Sequence, residues 1–271
     1  MQTEIRIQRW DHDQSRESMD TVVVEEPLEI RINGDPITVT MRTPGEDFAL
    51  AVGLLLAEGI LRSANEILSM AYCTDNDNPD LRNILNVYLP SEWKTQNDGS
   101  RWQRSFSSTS SCGLCGKQSI ESVRVLAAPI EAPRLRVQAS TMSHLGDKMR
   151  EAQQIFSRTG GLHAAALFLP DGELVTLSED IGRHNAVDKL IGGQALAGKL
   201  PLDDRILMVS GRTSFEILQK AAVARIPFLC SVSAPSSLAV ALARDLNMTL
   251  IGFLRGKTMN VYAGEERVAC G

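Results

Sequence analysis

From Arg205 to Leu254 the chain alternates between short apolar runs and amphipathic stretches opened by hydroxyl residues, an order that few folds accommodate. Arg205-Ile206-Leu207-Met208-Val209 reads as a buried strand, and Thr213-x-x-Glu216 is a capping signature for a helix that Pro227 stops. Phe228 to Val232 is the next strand, Ser236 to Leu246 the next helix and Thr249 to Leu254 another strand. This β-α-β-α-β order predicts a parallel sheet covered by helices on both faces, with ligands bound beyond the carboxyl ends of its strands.

The N-terminal part follows a different pattern. The first forty residues look like strands: Thr21 to Ile32 meets Ile37 to Met41 across Asn33-Gly34-Asp35-Pro36, and Asn-Gly between alternating runs is a strong hairpin signal. Thr43-Pro44-Gly45-Glu46 then predicts a helix from Pro44 to Glu58, with Thr43 as cap, Glu46 completing a capping box and Gly59 closing it. Further strands are expected at Ile67–Tyr72 and Ile84–Leu89. Pro129 to Arg134 marks a boundary, which divides the chain into a small α+β domain, residues 1–134, and a second domain, residues 135–271. The second opens with a helix from Met142 to Arg158 ended by Gly160-Gly161, followed by a hairpin of Leu162–Leu169 and Leu174–Leu177 around Pro170-Asp171-Gly172.

At 271 residues the chain is long enough for two modest domains. Its 43% hydrophobic and 23% charged residues describe a soluble globular protein, and the net charge of −5 argues against general nucleic-acid binding. No apolar run is long enough for a bilayer, and Met1-Gln2-Thr3-Glu4-Ile5-Arg6 lacks a signal-peptide layout, so a cytoplasmic location is expected. The five cysteines, an odd count, do not suggest a disulfide framework, and Cys230 within an apolar run reads as a small core residue.

Three polar turns are expected to converge at the strand ends: Ser210-Gly211-Arg212-Thr213-Ser214, Ser233-Ala234-Pro235-Ser236-Ser237 and Arg255-Gly256-Lys257-Thr258-Met259-Asn260. Hydroxyls, glycine-exposed amides, cations and two helix starts together suit a phosphate-bearing ligand. Gly256-Lys257-Thr258 resembles the end of a P-loop, but Ile251 stands where its first glycine belongs and no helix signal follows. Another dense polar stretch runs from Ser178 to Leu190. Arg183 and His184 lie near a helix start there, with Asp188 one turn on, where it would orient or satisfy the imidazole. His163, in an apolar strand, reads as a satisfied core or supporting residue.

Ser111-Cys112-Gly113-Leu114-Cys115-Gly116 places two thiols in a polar stretch that begins near Trp93 and is expected to be a surface loop. Cys112 and Cys115 have the spacing for one metal, one disulfide or one sulfur relay, and spacing does not choose among them. Lys117 and a helix start after Cys115 would favour the thiolate.

Several motifs together resemble the formate dehydrogenase accessory sulfurtransferase (FdhD) family: Arg42-Thr43-Pro44-Gly45-Glu46-Asp47, the Cys112–Cys115 segment, Gly160-Gly161-Leu162-His163, Asp180-Ile181-Gly182-Arg183-His184-Asn185-Ala186-Val187-Asp188-Lys189, Ser210-Gly211-Arg212-Thr213-Ser214 and Phe253-Leu254-Arg255-Gly256. The resemblance implies a cytidine-deaminase-like three-layer α/β/α second domain. It implies a sulfurtransferase that takes persulfide sulfur from a cysteine desulfurase, on Cys112 with Cys115 beside it, and passes it to the molybdenum bis-guanine-dinucleotide cofactor of formate dehydrogenase. Phe253, Leu254, Arg255, Gly256, Lys257 and Thr258 would contact that cofactor, with Ser210, Gly211, Arg212, Thr213, Arg183 and His184 at the same site, and a guanine nucleotide would mimic it. No resident metal is expected, and deaminase chemistry is unexpected, because Ala186 replaces the Glu of His-x-Glu and the later turn lacks cysteine. A cofactor-binding chaperone with structural zinc on Cys112 and Cys115 is the alternative. Oligomeric state stays open, a homodimer included.

Overall fold

A computed structural model of the chain describes residues 1–73, 82–93, 127–131 and 135–270. The Cys112–Cys115 segment and the loop leading to it lie outside the described residues.

The chain begins with a hairpin of β1 (Gln2–Asp11) and β2 (Gln14–Val23), exposed along most of its length. The single strand expected from Thr21 to Ile32 is thus divided: its first residues finish β2, and β3 (Glu26–Ile32) starts anew in another sheet. β3 and β4 (Asp35–Arg42) form the hairpin that Asn33-Gly34 signals, and both turn residues take positive φ, 49° and 91°. Asn33 does further work, since its side-chain oxygen accepts from the Leu89 amide at 2.9 Å. β5 (Ser69–Tyr72) and β6 (Ile84–Tyr88) complete a four-stranded sheet ordered β4-β3-β6-β5. Leu28, Ile30 and Ile32 of β3 and Leu85 and Val87 of β6 bury their side chains with Leu50, Val52 and Leu55 of helix α1 (Asp47–Ala57).

The start of α1 differs from the capping box read in the sequence. Glu46, not Thr43, is the N-cap, in left-handed conformation with φ 56°, and it makes no side-chain cap bond. The reason is competition: Thr43 Oγ1 instead accepts from the Ile181 amide at 3.2 Å, which ties the turn to the second half of the chain. Gly59, at φ 69°, ends the helix region as expected.

After β7 (Val137–Gln138), the one helix expected from Met142 to Arg158 is broken into α2 (Ala139–Met142), α3 (Leu145–Ala152) and α4 (Gln154–Thr159). At the second break Gln153 leaves helical geometry, and the Ile155 and Phe156 amides at the start of α4 bond the Glu179 carboxylate at 3.0 and 2.8 Å. Local periodicity cannot reveal such a partner 23 residues away.

β8 (His163–Phe168), β9 (Leu174–Asp180), β10 (Ile206–Val209), β11 (Phe228–Ser231), β12 (Thr249–Arg255) and β13 (Thr258–Ala263) form a sheet ordered β13-β12-β11-β10-β8-β9. β10, β11 and β12 are parallel, as the alternation requires; β8, β9 and β13 extend the sheet antiparallel. Successive residues of β10 serve opposite faces. Leu207 and Val209 pack with α5 (Arg183–Leu196), α6 (Phe215–Val223) and α7 (Ser237–Asp245), while Ile206 and Met208 pack with Met142, Leu145 and Met149. Cys230 is fully buried there, as expected, and burial pushes its thiol pKa up to about 12. A last short strand, β14 (Val268–Ala269), pairs with β7. Among the described residues no helix is long and apolar enough to cross a membrane.

α1 and α5 cross in backbone contact. A Cβ on Gly53 would stand 2.0 Å from the Asp188 carbonyl oxygen, and one on Gly192 would stand 1.9 Å from that of Ala49. Glycine therefore sets how closely the N-terminal sheet's helix sits against the helix whose first turn carries Arg183 and His184.

Candidate functional site

The strand-end turns come together through backbone hydrogen bonds. The Thr213 amide donates to Ala234 O at 3.2 Å and Thr213 O accepts from the Ser236 amide at 2.9 Å, so the turns after β10 and β11 run side by side. The Phe253 amide donates to Ser233 O at 3.1 Å and Arg255 Nε to Val232 O at 3.0 Å, which adds the end of β12. Thr213 does not cap α6; Ser214 is its N-cap and makes no side-chain cap bond. Thr213 is instead drawn into pairing with the neighbouring turn, a long-range contact that overrides the local capping signature.

Phe253 to Thr258 lie where β12 turns into β13. Leu254 is buried, whereas Phe253, Arg255, Gly256, Lys257 and Thr258 are exposed. Phe253 has φ 52°, an uncommon state for a bulky residue, and the ladder between β12 and β13 is irregular between Gly252 and Arg255. Gly256 also takes positive φ and Thr258 Oγ1 bonds Arg255 O at 3.1 Å, closing a hairpin turn. A strand follows this turn, so the P-loop resemblance has no helix to support it.

On the other side of the sheet edge stand His163, Arg183 and His184. Ser210 Oγ accepts from the Ala164 amide at 2.9 Å and lies 3.4 Å from His163 Nδ1. Gly211 lies between two side chains: a Cβ there would meet His163 Nδ1 at 3.4 Å and Arg183 Cδ at 3.5 Å. Burial, and then the nearby Arg183 and His184, lower the His163 pKa. His184 Nε2 lies 3.2 Å from Ser214 Oγ and 3.0 Å from Glu216 Oε2. Asp188, which the spacing offered as the partner of His184, is held by Lys220 Nζ at 2.6 and 2.8 Å. It points into the helix packing, where burial raises its pKa against the pull of Lys220.

Ser210, Gly211, Arg212, Thr213, Arg183 and His184 are thus gathered around one sheet edge, with Phe253 to Thr258 joined to it through the 233–236 turn. Glu216 belongs with them, although the sequence reading gave it only a capping role. Its spacing, three residues after Thr213, fits both roles, and only the fold places His184 beside it.

The Arg42–Asp47 and Asp180–Lys189 motifs meet in a junction. Asp180 Oδ2 accepts from the Thr43 amide at 3.1 Å and lies 2.7 Å from Lys189 Nζ, which also donates to Thr43 O at 2.8 Å. Asn185 Nδ2 donates to Met41 O at 2.8 Å and to Asp180 Oδ1 at 3.0 Å. Arg42, 1% exposed, grips Asp47 with two bonds of 3.0 Å, and Tyr72 OH donates to the same carboxylate at 3.1 Å. Burial and that carboxylate raise the Tyr72 pKa to about 12.

Among the described residues no group of three or more His, Cys, Asp or Glu side chains is placed to hold a metal. The structure is a mixed α/β protein with a candidate anion-facing site at the carboxyl edge of its larger sheet. The FdhD/NarQ family model matches residues 23–269, and the chain belongs to that family. Similar proteins include one named sulfur carrier protein FdhD from Streptomyces avermitilis, 52% identical over 260 residues, 92% of this chain and 89% of its own. One of the same name from Mycobacterium tuberculosis is 47% identical over 270 residues, 97% of each chain. A crystal structure from Desulfotalea psychrophila, described there as a candidate formate dehydrogenase accessory protein, shares the fold with a TM-score of 0.76, 22% identity and 99% coverage of both chains.

Proposed function

We propose that this protein is a sulfur carrier for formate dehydrogenase: a cytoplasmic sulfurtransferase that takes persulfide sulfur from a cysteine desulfurase and supplies it to the molybdenum bis-guanine-dinucleotide cofactor. The observation that carries the reading is the full-length similarity to proteins named sulfur carriers, together with the Cys112–Cys115 pair in the sequence. Cys112 thiolate attacks the outer sulfur of the donor persulfide. The donor S–S bond breaks, the donor cysteine leaves as thiolate, and a new S–S bond holds the sulfur on Cys112, with no net redox change. Attack by Cys115 on the inner sulfur would then give a Cys112–Cys115 disulfide and hydrosulfide, the two thiols supplying the electrons.

The cofactor is cargo, and its polyanionic ends suit the strand-end turns. Arg212, Arg255 and Lys257 are exposed beside glycine-bearing turns and two helix starts without side-chain caps. The three-layer arrangement of the larger sheet supports a cytidine-deaminase-like ancestry for this half, with His184 kept but the glutamate and the paired cysteines of that chemistry absent. Support for a division into units 1–134 and 135–271 comes from the separation of the four-stranded sheet from the six-stranded one.

The test is intact-protein mass after incubation with desulfurase and cysteine. A reductant-sensitive gain of one sulfur is expected in the wild type and in Cys115→Ala, and its loss in Cys112→Ala. Retention of the gain in the double variant overturns the relay. One bound zinc per chain without any sulfur gain would replace it with the structural-zinc chaperone.

A further inference from the structure

The sheet edge contains polar groups that the fold leaves unsatisfied. Glu216 Oε1, Arg183 Nε and Thr213 Oγ1 are buried atoms without a hydrogen-bond partner among the described residues. Native proteins seldom leave a buried polar atom without a partner, so three around one edge are exceptional unless something else completes them. The Glu216 carboxylate is the most informative. His184 lies 3.0 Å from its Oε2, and Oε1 is covered although the side chain as a whole keeps 16% of its surface exposed, so a donor reaches Oε1 when the carboxylate or a covering side chain turns. One oxygen is therefore fixed by the protein and the other is left to accept.

We propose that Glu216 determines specificity at the proposed cargo site by accepting from the amino-bearing edge of a 2-amino-4-oxo heterocycle. Such an edge presents a ring N–H and an exocyclic amino group beside a carbonyl. A carboxylate oxygen pairs with the donors, and Arg183 or the bare amides at the starts of α5 and α6 are suited to the carbonyl. Phosphate recognition alone gives no account of Glu216, because a carboxylate repels phosphate; an acidic group among cations marks the place of a donor rather than an anion. His184 is then a positioning residue, fixing the carboxylate through Nε2 while Ser214 Oγ, 3.2 Å from the same nitrogen, fixes the ring. The inference rests on the cargo reading, and both guanine and pterin carry this edge.

The experiment compares ligands with and without the 2-amino group, which hydrogen replaces in IDP and a carbonyl replaces in lumazine, with full-length protein. GDP is set against IDP for the guanine, and pterin against lumazine for the pterin, each by calorimetry or competition. At least one amino-bearing ligand is expected to bind about tenfold tighter than its partner, the weight of one charge-assisted hydrogen bond. Glu216→Ala should abolish that preference, GDP losing more affinity than IDP or pterin more than lumazine, and an unchanged melting temperature shows the variant still folded. If Glu216→Ala loses all binding, Glu216→Gln decides by the same ratio, expected to fall to about threefold or less. Equal binding within both wild-type pairs, or a preference that survives the substitution, overturns the inference while leaving the cargo site standing. Failure of all four ligands to bind overturns the cargo site as well.

Discussion

Lys189 and Asp180 form an ion pair of 2.7 Å with side chains 2% and 0% exposed, and both also bond the backbone of Thr43 from the other half of the chain. A buried pair of this kind contributes little net stability relative to apolar replacements, but removing one partner strands the other. Lys189→Met is therefore expected to cost about 3–5 kcal/mol in chemical denaturation. Combined with Asp180→Asn, the loss should be smaller than the sum of the two singles. Strict additivity would show that the two side chains are not coupled in the folded protein.

The crossing of α1 and α5 makes a sharper forecast. Gly192→Ala would push a methyl group into the Ala49 carbonyl, and backbone cannot yield as a side-chain tip does. Destabilisation of about 2 kcal/mol or more is expected. Gly193→Ala is the control: its Cβ would stand 4.0 Å from that of Ala49, and helix propensity alone should make it neutral or stabilising by up to about 1 kcal/mol. Similar melting temperatures for the two variants would contradict the close crossing.

How much of this was legible beforehand depends on the range of the interactions. The parallel strands β10 to β12 and the Asn33-Gly34 turn follow from local pattern, and the structure contains them. Thr43 and Thr213 carry local capping signatures that lose to the Ile181 amide and the 233–236 turn, and the helical periodicity across Gln153 loses to Glu179, which takes the Ile155 and Phe156 amides. Helical spacing pairs Asp188 with His184, but Lys220 comes from another helix and wins the carboxylate. The site shows the same division. Polar turns at strand ends marked its place, whereas the pairing of His184 with Glu216 needed the packing of α5 against α6. Phe253 carried no sequence sign of its positive φ.

His163 offers a test by pH. Burial and neighbouring cations lower its pKa below the ordinary imidazole value of 6.5, so the folded state resists the proton that the unfolded chain accepts. Its contribution to stability is then complete above about pH 6.5 and is lost as pH falls towards the depressed folded value. Denaturation of wild type and His163→Gln between pH 7.5 and 5 should show a shallower decline in the variant. Parallel curves would mean that His163 stays solvated and takes the proton freely in the folded state.

Arg255 tests the strand-end site independently of sulfur transfer. Its Nε is committed to Val232 O at 3.0 Å, which leaves the outer edge of an exposed guanidinium presented beside Lys257 and the Gly256 turn. A phosphate held there is paired in screened surroundings, so GDP affinity should fall as salt rises, and Arg255→Ala should weaken it about tenfold at low salt and reduce the salt slope. Arg255→Lys keeps the charge but loses both the planar fork and the Nε bond that aims it, so its affinity should lie between the two with the wild-type slope retained. Calorimetry across a salt series reads both quantities at once. If Arg255→Ala bound GDP as tightly as wild type at every salt concentration, the phosphates would have to lie elsewhere, and the assignment of cargo to the carboxyl edge of the sheet would be withdrawn.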